Sequence, residues 1–69
     1  MPEFTEDEIM LIRIYYESRK DWLIGNLMNM LSATTEEETE LRNTTESLIR
    51  KLSAMTHEQF REVSEMLTS

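Results

Sequence analysis

The sequence predicts an all-α fold, a compact bundle of four short helices forming one domain over residues 1–69. Three observations carry this: few helix breakers, four helix-start signatures along the chain, and apolar residues that recur with helical period. Proline occurs only at Pro2 and glycine only at Gly25. Leu, Met, Glu, Lys and Arg, which lose little freedom in a helix, are abundant.

The start signature is a hydroxyl residue followed three positions later by a side chain that can accept from the cap's own N–H. It occurs as Thr5 with Glu8, Ser18 with Asp21, Thr35 with Glu38 and Thr56 with Gln59. Two of these starts add an apolar pair flanking the cap, Phe4 with Ile9 and Met55 with Phe60, which fixes the direction in which the chain enters the helix. Helices are therefore expected near 6–16, 19–32, 36–55 and 57–67.

In the first segment Ile9, Met10, Leu11, Ile12, Ile14, Tyr15 and Tyr16 leave only Arg13 polar through the middle. A helix apolar nearly all round is usually covered on several sides, so it is expected at the centre of the bundle, or else against another chain. The second segment sets Leu23, Ile24, Leu27, Met28 and Leu31 in a core stripe, with Trp22 and Met30 on its flank. Core packing is also the favoured place for Trp22, because so short a chain lacks bulk. Gly25 inside this helix costs about 1 kcal/mol relative to alanine, and close approach of a neighbouring helix is the simplest compensation.

The third segment has one narrow face, Leu41, Thr45, Leu48, Leu52 and Met55 with Ile49 beside it, and charges elsewhere. Its acids come early and its bases late, as the helix dipole favours. The fourth carries a shorter stripe of Phe60, Val63 and Leu67. Junctions of a few residues favour packing between neighbours in sequence.

Composition narrows function by exclusion. There is no cysteine and one histidine, His57, so disulfides, thiolate sites and histidine metal clusters are out of reach. Glu36, Glu37, Glu38 and Glu40 lack the alternating spacing and loop glycine of a calcium loop, and read as acids at a helix start. No glycine-rich phosphate loop or catalytic triad spacing is present, so no enzyme activity and no cofactor are expected. A formal charge of −7 disfavours direct contact with nucleic acid or anionic lipid. An acidic N-terminus without an apolar run long enough to span a bilayer predicts a cytoplasmic protein.

The remaining chemistry is that of an interaction surface. Met10, Arg13, Ile14, Tyr15, Arg19 and Trp22 are the candidate partner-binding residues: apolar side chains of the first helix, bordered by arginine, that form a docking patch if three other helices leave them uncovered, together with types enriched at binding hot spots. The basic pairs Arg19–Lys20 and Arg50–Lys51 read as solvated helix faces.

Phe4-Thr5-Glu6-Asp7-Glu8-Ile9, then Leu11-Ile12-Arg13-Ile14-Tyr15, with Arg19 before Leu23-Ile24, open one sequence pattern. Glu38-Thr39-Glu40-Leu41-Arg42, Thr45, Ser47, Lys51-Leu52 and Met55-Thr56 before Phe60 continue it. In these residues the chain resembles the small transposon-transfer assisting proteins encoded on bacterial conjugative transposons. The resemblance implies a bacterial host and a supporting part in conjugative transfer, and it implies no reaction, ligand or catalytic residue. Thr44 stands where the family pattern leads one to expect leucine, which bears on how tightly the third helix packs there.

The expected function is thus a protein-interaction module whose partner belongs to the transfer or regulatory machinery, with a homodimer as a further option. The competing expectation is a transcriptional regulator of the mobile element that binds DNA or imitates it.

Overall fold

In the computed structural model, which describes residues 3–68, the chain forms α1 (Glu6–Ile14), α2 (Lys20–Ala33), α3 (Thr39–Ala54) and α4 (His57–Thr68). There is no strand among the described residues. The all-α fold is as expected, and each helix end falls within three residues of its expected place.

Two of the four caps form in full. The Thr5 hydroxyl accepts from the Glu8 N–H at 3.1 Å while the Glu8 carboxylate accepts from the Thr5 N–H at 2.8 Å. Thr56 and Gln59 do the same at 3.1 and 2.9 Å. Each box satisfies two donors that a helix start would otherwise leave orphaned.

The other two differ from expectation. Arg19, not Ser18, is the N-cap of α2, and no side chain caps it. At Thr35 the hydroxyl donates to the Glu38 carboxylate at 3.1 Å instead of accepting from the Glu38 N–H, which turns back to the Thr35 carbonyl at 3.2 Å. That arrangement closes a turn before the helix, so α3 begins at Thr39 and not at 36. α1 likewise stops at Ile14, two residues short of expectation, with Tyr15 as its C-cap. Beyond it, Tyr16 hydrogen-bonds Ser64 on α4 and Glu17 accepts from Asn26 on α2 at 3.1 Å, so tertiary bonds claim these residues.

The bundle is organised around α3, which packs against both α1 and α2. Its expected stripe is the core: Thr45, Leu48, Leu52 and Met55 are buried, with Leu41 and Ile49 at the margin. Thr45 is tolerated there because its hydroxyl donates to the Leu41 carbonyl at 2.7 Å. Leu11 and Ile12 from α1, Leu23 and Leu27 from α2, and Phe60 and Val63 from α4 complete the cluster. The radius of gyration, 11.5 Å, is close to the ~11 Å of a compact chain of this length.

Four observations correct the sequence expectations. α1 is not central: Glu8, Leu11 and Ile12 face inward, whereas Met10 is 58% and Ile14 63% exposed. Met28, about 100° round the helix from Leu27, leaves the stripe and is exposed, while Met30 packs on the core instead. Trp22 is 54% exposed rather than buried. Gly25 also fails to mark a close helix approach, since a Cβ built there meets nothing within 4 Å.

Candidate protein-interaction site

The buried face of α1 carries a carboxylate, and a buried ionisable group first has to be weighed as a reaction centre. Glu8 is almost wholly enclosed. Its Oε1 takes the Thr5 N–H and the Lys51 ammonium, the latter at 2.7 Å, and Oε2 takes the Ser47 hydroxyl at 3.0 Å. Burial by itself pushes its pKa up. The hydrogen bonds from Lys51, Thr5 and Ser47, with the Lys51 charge, outweigh that and hold it below the ordinary glutamate value.

Lys51 also donates to the Glu3 carbonyl at 2.9 Å and lies 5.9 Å from the centre of the Phe4 ring. Glu8 and Lys51 therefore join the start of α1 to α3. With both carboxylate oxygens engaged by donors from the N-cap of α1 and from α3, the pair acts as a structural clasp. Lys51 is accordingly not part of a purely solvated face, and neither is Lys20, whose ammonium donates to the Met55 carbonyl at 2.6 Å.

The six candidate residues divide into two groups. Met10 and Ile14 lie one turn apart on the outer side of α1 with exposed Arg13 beside them. Tyr15 does not join them, because it packs against the core and is only partly accessible. Arg19 and Trp22 pair on the first turn of α2, the guanidinium 5.3 Å from the indole centre, a cation–π arrangement that holds both side chains in place.

Next to Met10 a shallow groove of about 210 Å³ runs between α1 and α3. Leu11 and Leu41 give it an apolar floor, Asp7 and Glu40 an acidic rim, and Thr44 one wall. Thr44 is the position where leucine was anticipated, and its smaller side chain lines open space there. Asp7, Glu40 and Thr44 escape sequence reasoning because the groove arises only when two helices are paired.

A second concavity, of about 310 Å³, is lined by Arg19, Lys20, His57 and Arg61 near the starts of α2 and α4. Among the described residues, no cluster of His, Asp or Glu could hold a metal ion, and no helix is long and apolar enough to cross a membrane.

The sequence profile of the family described as "Putative transposon-transfer assisting protein" matches residues 4–66. The chain belongs to that family. The match includes all of α1, α2 and α3 and most of α4, so both exposed groups and the groove lie inside the family region. No curated protein and no solved structure matches the chain.

Proposed function

We propose that this member of the transposon-transfer assisting family is a non-catalytic interaction module that docks a protein of the transfer or regulatory machinery on the outer side of α1. One observation carries the proposal: Met10 and Ile14 are both more than half exposed and a turn apart, and Met10 lines a groove with an apolar floor and an acidic rim. Large exposed apolar side chains on a small charged domain are the usual mark of a docking surface. Asp7 and Glu40 at the rim, on a chain of charge −7, select a segment with an apolar anchor beside lysine or arginine.

The test is capture of partners from a host carrying the element, followed by titration of the captured protein. Met10→Glu should abolish binding with circular dichroism and melting unchanged, since the side chain is already in water. Thr44→Leu, which fills the groove wall, should weaken binding without unfolding the chain. Rising salt should weaken the complex. If Met10→Glu binds like wild type, the docking surface is elsewhere. A salt-sensitive mobility shift of bare DNA by the wild-type protein would overturn the proposal in favour of a DNA-binding regulator.

A further inference from the structure

We infer that the outer face of α2 is a self-association surface, occupied by α2 of a second copy running antiparallel to it and crossing at Gly25. Residues 22–35 contain no charged side chain, although a stretch of that length in a chain 30% charged would hold about four. The outward positions of that stretch are Trp22, Met28, Asn29 and Ser32, all exposed, with Gly25 among them. Gly25 is also the chain's one glycine. Its backbone is not in the left-handed region, and no side chain approaches it. Nothing within the fold thus offsets its helix penalty, and an approaching helix from outside would.

The occupant follows from register and charge. Trp22 and Met28 each lie three residues from Gly25. A two-fold axis through an antiparallel crossing at Gly25 therefore sets the indole of each copy against the thioether of the other, a favourable contact. Two copies of charge −7 repel at long range, and this face lets them meet without bringing like charges together. With Trp22 and Met28 each more than half exposed, covering the face removes roughly 400–500 Å² per copy, which places the pair among weak, concentration-dependent dimers.

Sedimentation equilibrium from about 10 µM to 1 mM, at low and at high salt, tests this. Wild type should pass from monomer to dimer within that range, and the dimer should tighten as salt screens the repulsion. Gly25→Gln places a long polar side chain at the crossing while leaving the monomer's packing untouched, and should raise the dimer Kd at least about tenfold. Trp22→Glu should do the same. Three results would each overturn the inference: a monomer at the highest concentration in both salts, a Gly25→Gln dimer as tight as wild type, or association that loosens as salt rises. The salt response separates this surface from the acidic groove of α1, whose complex is expected to weaken.

Discussion

Replacing Glu8 by glutamine removes one charge and little else. The amide oxygen can still accept from the Thr5 N–H and from Lys51, and the amide nitrogen can donate to the Ser47 hydroxyl once that hydroxyl rotates. The loss is then the difference between charge-assisted and neutral hydrogen bonds, about 1–2 kcal/mol. Glu8→Ala goes further, since it strands the Thr5 and Ser47 donors and leaves a void. About 3 kcal/mol is expected, below the worst case for a buried pair because Lys51 keeps 30% of its side chain in contact with water. Against a total of about 3–10 kcal/mol for a domain of this size, either change is visible in urea denaturation followed by circular dichroism.

The pH dependence discriminates further. The folded-state pKa of Glu8 lies below its unfolded value. Its contribution is therefore complete above the ordinary glutamate range and is lost as pH falls through the lowered folded value. The wild-type advantage over Glu8→Gln should be full at neutral pH and shrink toward zero in acid, at pH values well below the ordinary glutamate range. An advantage of equal size at neutral pH and in acid would refute the assignment of that stability to the ionised carboxylate.

Thr5→Ala and Thr56→Ala should each lower stability by about 1 kcal/mol, whereas Ser18→Ala should leave the urea midpoint unchanged because Ser18 caps nothing. Leu48→Ala and Leu27→Ala, at fully buried positions, should each cost about 2–5 kcal/mol and bring the melting transition close to ambient temperature. Gly25→Ala, measured at low micromolar concentration, should raise the midpoint by up to about 1 kcal/mol, since the added methyl enters open space in a helix; a lowered midpoint would place a neighbour against Gly25.

What could be read from the sequence was what local geometry dictates. The caps at Thr5 and Thr56 depend on residues three apart, and the α3 stripe on a period of 3.6, so both were found where expected. The pair Thr35 and Glu38 has the same spacing, and the Thr35 N–H still donates to the Glu38 carboxylate, but the Thr35 hydroxyl donates where a cap would accept, which residue identity does not encode. The position of α1 was misjudged because breadth of apolar surface does not determine centrality. α3 takes the centre with a narrower face, since that face is continuous over four turns. The role of Glu8 lay further out of reach, its partner Lys51 being 43 positions away.

The candidate site was legible in part. Met10, Ile14, Arg13, Arg19 and Trp22 were picked out by residue type and are at the surface. Tyr15 was included as a hot-spot residue type on the apolar first helix and turns inward, because it continues the i, i+3, i+4 and i+7 face of Glu8, Leu11 and Ile12.

The exposure of Trp22 has a practical consequence for spectroscopy. It is the chain's only tryptophan, so all of the indole emission comes from a ring already half in water and beside a guanidinium. Its spectrum in the native state should resemble that of the denatured chain, and fluorescence will follow unfolding with little amplitude. The same ring stands where a docking helix would desolvate it. Intrinsic emission is thus a poor reporter of folding and a sensitive one of assembly, shifting to the blue as copies close over α2 and staying red in Gly25→Gln.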